Sequence, residues 1–257
     1  MSDKPISFSA PMVRAILEGR KTMTRRVLTP SNTYFNGSPW QKWTKAQVWD
    51  WNKAWVDQGP SPAGNPGPYL HLPWKDGDDQ WEGTSHRIYP KIQPRDHLWV
   101  RETWGSLEAD HTAACHDPAY RKPRHGDKIV YRADPASAAQ WGSGLPSQGG
   151  FMWRPSIHMP RWASRITLEV TGVKVERLQD ISEEDAKAEG ILPVDNGFHW
   201  VPDSPNAQWA TLRYRKATDA FSGLWKSING PDSLAENPWV AAISFKVLAN
   251  PTMKESE

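Results

Sequence analysis

The stretch Gly19-Arg20-Lys21-Thr22-Met23-Thr24-Arg25-Arg26 packs four cations and two hydroxyls into eight positions. An arginine-rich knot of this kind can grip phosphate through its forked donors, and the same cations on a loop can equally form a solvated patch. Spacing sets a condition on any joint role for Lys21 and Thr24. In an extended strand, positions 21 and 24 point to opposite faces, so the two converge only if Thr22 and Met23 form a turn.

Charge and aromatic rings also coincide at Arg101, Glu102 and Trp104, and at Arg161 and Arg165, which flank Trp162. Indoles either stack on unpaired bases or fill a core. Core filling is expected of Trp99, Trp209, Trp225 and Trp239, which fall on predicted strands or helix faces. The indoles between residues 40 and 81, interleaved with Lys42, Lys45, Lys53 and Lys75, suit a partner surface better. His111, Cys115 and His116 match no standard metal spacing, so neither metal nor cofactor is expected. Gly142-Ser143-Gly144 and Gly149-Gly150 lack the lysine and helix start of a phosphate-binding loop.

A net charge of +2, from 31 basic and 29 acidic residues, gives no whole-molecule argument for nucleic acid. A single cysteine excludes an internal disulfide framework. No apolar run approaches membrane-spanning length, and the first residues lack a signal pattern, so no membrane partner and a cytoplasmic location are expected.

The elements that must position these residues follow from periodicity. Residues 5 to 9 read as a strand. Ser9, Pro11 and the apolar stripe Met12, Val13, Ile16 and Leu17 predict a helix stopped by Gly19. Residues 30 to 91 are rich in Pro, Gly and Trp and read as a loop insertion, with one helix near 44 to 56. Strands are predicted at 97 to 103, 128 to 133 and 166 to 170, the last bending at Gly172 towards Val173 and Val175. Ser182 and Asp185 resemble a capping box opening a short helix that ends at Gly190. A longer helix is expected over 206 to 228, with Trp209, Leu212, Ala217, Phe221, Leu224, Trp225 and Ile228 on one face. The last strand should run from 239 to 247 with Ile243, Phe245 and Val247 inward. Intermixed strands and helices without a βαβ rhythm predict an α+β fold, a small mixed sheet or barrel flanked by helices.

Three segments carry a family resemblance: the helix leading into Gly19-Arg20-Lys21-Thr22-Met23-Thr24-Arg25, the strand Leu98-Trp99-Val100-Arg101-Glu102-Thr103-Trp104, and Ile181 to Ile191 after a strong strand. Together they resemble an ASCH domain of the PUA-like β-barrel group. Arg161-Trp162-Ala163-Ser164-Arg165-Ile166 is similar to the elaborated ASCH proteins of phages and prophages. The likeness covers about 4–29, 92–134, 160–192 and 207–248. It implies one elaborated domain, a PUA-like mixed barrel whose core is about 4–29, 92–134 and 160–248, interrupted by the Trp-rich insertion at about 30–91.

One branch of that family hydrolyses N4-acetylcytidine without metal, and its catalytic lysine, threonine and glutamate fall on Lys21, Thr24 and Glu189. Lys21 would then be the base, Thr24 the nucleophile and Glu189 the proton donor. A glutamate in a last helical turn faces the negative end of the helix dipole, which function would explain, as would screening by Lys187. Arg20, Arg25, Arg26, Arg101, Glu102, Trp104, Arg161 and Arg165 are the expected substrate or nucleic-acid contacts. The partner implied is a nucleoside or single-stranded nucleic acid. Two other readings stay open: a non-catalytic reader of RNA or a modified base, and a phage protein binding a host partner through its Trp-rich insertion.

Overall fold

A computed structural model describes residues 2–28, 50–59, 64, 67–73, 86–107, 122–141, 152–200 and 212–248. Strand β1 (Asp3–Ser7) buries Ile6 and leads into helix α1 (Ala10–Leu17), whose Val13 and Ile16 are almost inaccessible. Pro11 sits in the first turn, as expected, although the Ser9 side chain makes no capping bond. Gly19 ends the helix at φ +73°, a conformation that favours glycine. Strand β2 (Met23–Val27) follows at once.

The predicted insertion is not merely loop. Its described part contains β3 (Trp55–Asp57), β4 (Tyr69–Leu72) and β5 (His86–Ile88), which pair as a small antiparallel sheet. Residues 50–54 are irregular and 55–57 extended, so the helix expected near 44 to 56 is absent from the residues described there. Leu70, Leu72 and Ile88 from this sheet join the main core, which gives the insertion a packing role.

Strands β6 (His97–Arg101), β7 (Trp104–Ser106) and β8 (Ile129–Tyr131) come next, then helix α2 (Pro135–Trp141). The long strand β9 (Thr167–Arg177) continues through Gly172, with β12 (Trp239–Leu248) paired along its length. A register shift between Ser244 and Phe245 falls opposite that glycine, so Gly172 marks a bulge within the strand. Helix α3 (Glu183–Ala188) opens as predicted, with the Ser182 hydroxyl accepting from the Asp185 amide. The hairpin β10 (Leu192–Val194) and β11 (Gly197–His199) precedes helix α4 (Ala217–Asn229).

Helix α4 starts later than the expected residue 206. Its N-terminus is fixed by Glu183, whose carboxylate accepts from the amides of Ala217 and Thr218, while Tyr214 is held extended against Phe198. Leu212 falls before the helix and is exposed, Ile228 lies in its last turn and is exposed too, and Trp209 lies outside the described residues. Val247, expected inward, is exposed as well.

The fold is α+β. Its main sheet has the order β1-β6-β9-β12-β2, with β1 and β6 parallel and the remaining pairs antiparallel. Four strand spacings would separate the edges of a flat sheet by roughly 19 Å. Instead Arg26 of β2 donates to the Ser7 carbonyl of β1 at 2.8 Å, so the sheet curls until its edges nearly meet. No backbone ladder joins those edges among the described residues, which form a curled mixed sheet. The concave side encloses the main core with α1; the outer side packs Val240 against Phe221 and Trp225 of α4.

Candidate functional site around Lys21 and Glu189

The chain leaving α1 is pinned before it reaches β2. The amides of Arg20 and Lys21 both donate to the Ala15 carbonyl at 2.9 Å, and Thr22 donates to Ala188 at 2.9 Å. Lys21 therefore lies beside the end of α3, bridged through its backbone to Glu189. Its ammonium donates to the Glu189 carboxylate at 2.7 Å and to the Glu189 carbonyl at 2.8 Å. Lys21 is 1% exposed and Glu189 5%, so this ion pair is inside the protein. The approach requires Gly190, at φ +98°, where a Cβ would stand 3.2 Å from the Lys21 Cβ and 3.3 Å from that of Ala15.

Burial pushes Lys21 below the ordinary lysine value; Glu189 opposes that shift, and the nearby Arg26 and Arg25 add to it. The unfavourable place of Glu189 at the end of α3 is thus offset by cations. Arg25 donates to it at 3.2 Å and also reaches Glu176 at 2.5 Å and Asp185 at 2.9 Å. Lys174 completes the network on Asp185 at 2.6 Å.

The Arg20, Arg25 and Arg26 set divides. Arg25, 3% exposed and engaged by three carboxylates, is internal and makes no surface for a nucleic acid. Arg20 pairs with Glu18 and donates to the Gly190 carbonyl at 3.2 Å. Arg26 makes no ion pair within 4.0 Å among the described residues and lies over the Phe8 ring at 5.3 Å.

Thr22 and Met23 form no turn. The Thr22 carbonyl accepts from Phe245 and β2 begins at Met23, so the backbone passes through this point extended. Lys21 and Thr24 are therefore not joined by local geometry. The lysine stem nevertheless brings its ammonium to 5.7 Å from the Phe8 ring, the ring that Arg26 covers. Thr24 is buried and shares the sheet face of Arg26, being paired across the strand with Ile243 as Arg26 is with Ala241. Arg26, Ala241 and Ile243 line a cavity of about 420 Å³ between β1 and β2. Lys21, Thr24 and Glu189 are not among its lining residues.

The remaining expected contacts form two other groups. Glu102, 1% exposed, takes two hydrogen bonds from Arg165 at 2.9 and 3.1 Å, and Arg165 also reaches Asp134 at 2.7 Å. Burial raises Glu102, with Arg165 opposing, and burial pushes the Tyr131 phenol up to about 12. Trp104 is 2% exposed and packs edge-on against Trp162, so it fills a core and offers no face to a base. Arg101 and Arg161 both approach Trp99 on the outer face of β6, at 5.6 and 6.0 Å. Arg161 and Arg165 thus diverge and do not bracket Trp162. Trp99 is only half buried, unlike the core indole expected.

Sequence reasoning missed Glu176 and Asp134 and gave Asp185 only a capping role, because their ion pairs depend on pairing across the fold. Of the insertion indoles, Trp55 is 49% exposed and stacks on His71, while Trp51 packs against the main core. Trp40, Trp43, Trp49, Trp74 and Trp81 lie outside the described residues, as do Lys42, Lys45 and Lys75. So do His111, Cys115, His116 and the two glycine clusters; among the described residues no group of three His, Cys, Asp or Glu is placed to hold a metal. No described helix is long and apolar enough to cross a membrane. Comparison with protein-family models, curated proteins and solved structures finds no match to this chain.

Proposed function

We propose that this chain is an ASCH-type, PUA-like protein that binds a nucleoside or single-stranded nucleic acid and hydrolyses the amide of N4-acetylcytidine or a related N4-acylcytosine without a metal. The observation that carries this reading is the buried hydrogen bond of 2.7 Å between Lys21 and Glu189. One proton moved along it converts ammonium and carboxylate into a neutral amine and a carboxylic acid. In a water-poor site the neutral pair avoids the cost of two buried charges. A base and an acid are then present together, at no change in net charge.

In this mechanism the Lys21 amine takes the proton of the Thr24 hydroxyl as its oxygen attacks the amide carbon. Glu189 protonates N4 as the carbon–nitrogen bond breaks, releasing cytidine and leaving an acyl ester on Thr24. Water then adds to the ester, Thr24 regains its proton, and the carboxylic acid leaves. The extended backbone at Thr22 and Met23 supplies no turn to join Lys21 and Thr24, which weighs against Thr24 as the nucleophile.

The test is incubation of the purified protein with N4-acetylcytidine and chromatography of the product. Cytidine formation that is lost in Thr24→Val supports the mechanism; a folded wild type that forms no cytidine removes it. A second reading, a non-catalytic reader of RNA or a modified base, is favoured by that same straight backbone, which keeps the hydroxyl of Thr24 apart from any local turn. It predicts saturable, salt-sensitive binding without turnover.

A further inference from the structure

The cavity between the two sheet edges has a charge pattern that the catalytic proposal does not use. Its walls are largely apolar, from Ile6, Leu28, Ile92 and Ile243, and two cations, Arg26 and Lys91, stand among them with no carboxylate in the lining. Tyr89 adds an aromatic residue to the lining. At about 420 Å³ the volume lies within the range of small-ligand sites.

Both cations keep donors to spend. Among the described residues, Arg26 donates only through Nη2, to Ser7, whereas its neighbours Arg20 and Arg25 are each neutralised by carboxylates. The Lys91 side chain is exposed and meets no carboxylate there; only its backbone carbonyl is engaged, by Lys4 at 2.6 Å. An apolar concavity with an underused guanidinium fork and an ammonium selects a ligand with a flat apolar body and a compact anionic group.

We infer that this cavity binds a nucleoside monophosphate, with Arg26 and Lys91 on the phosphate and the base against the apolar wall and Tyr89. The anionic character comes from the cavity; the nucleoside body rests on the proposed function.

Titration calorimetry of the full chain with cytidine 5′-monophosphate, cytidine and inorganic phosphate tests this. The expected result is binding of the monophosphate at least tenfold tighter than either cytidine or phosphate. In Lys91→Gln, an exposed change outside the core, that advantage falls several-fold, and in Arg26→Gln it is lost. Equal affinity for monophosphate and nucleoside overturns the inference. So does phosphate binding as tightly as the nucleotide, or full retention of the preference in both variants. None of these ligands carries an acyl group, so the result is independent of turnover. Hydrolysis of N4-acetylcytidine with no preference for phosphate sinks this inference alone, and a phosphate preference without hydrolysis sinks only the catalytic reading.

Discussion

Lys21 and Glu189, 168 residues apart, meet at 2.7 Å in the interior and tie the start of β2 to the end of α3. Two charges taken out of water cost several kcal/mol each, and a well-packed apolar pair often holds such elements as well or better. The pair is therefore a poor choice for stability alone. The proton transfer proposed for it would give it a reason to be there.

Removing one partner should be expensive. Glu189→Ala leaves both Lys21 and Arg25 short of a carboxylate, and a loss on the order of 3–5 kcal/mol is expected. Lys21→Met should cost less, because Glu189 keeps Arg25 at 3.2 Å and the desolvated ammonium is gone. Urea unfolding of both variants checks the order; equal losses would contradict it.

The lysine also has a signature in alkali. Its folded pKa lies below the ordinary 10.5, so below 10.5 the unfolded chain holds more protons than the native one. Stability contributed by this group must then rise as pH climbs towards 10.5. Measured from pH 8 upward, the wild type should show a more positive slope of stability against pH than Lys21→Met. Parallel curves would refute the shift.

Asp96 behaves in the opposite range. Burial would raise it, but hydrogen bonds from Lys4, the Gln93 amide and Ser2 outweigh burial and hold it at about 2. A depressed carboxylate stabilises the fold above its unfolded value near 4, and that contribution is lost as pH falls through about 2. Asp96→Asn should be less stable than wild type at pH 6, and the gap should narrow by pH 2.

Gly190 sets the approach of the ion pair. At φ +98° an alanine is strained, and its Cβ would press on Lys21 and Ala15. Gly190→Ala is expected to cost about 1–3 kcal/mol. Thermal melting gives the loss, and a neutral substitution would show that the lysine has room to move.

Much of the positioning framework is legible from local chemistry. Ser182 with Asp185, Pro11 and Gly19, and the alternation of β6 and β12 each act within a few residues, so periodicity and capping reveal them. The sheet of β3, β4 and β5 is not legible, because strands of three or four residues among prolines, glycines and indoles carry too short a pattern. The fate of the arginines is legible only in part. Period two separates Arg25 from Arg26 onto opposite faces of β2, but the carboxylates that absorb Arg25 arrive from β9 and α3, over 150 residues away. Trp104 shows the same limit: nothing local tells a core indole from one lining a cleft.

In the proposed function the buried Lys21–Glu189 pair performs the acid–base chemistry. The most direct measurement is the rate of acetate release from N4-acetylcytidine by wild type and by Glu189→Gln, with the folded fraction of each determined in the same buffer. Release by wild type is expected, with a fall of roughly 10²-fold or more, per folded molecule, in the variant. No release by folded wild type, or a variant as fast as wild type, would contradict it.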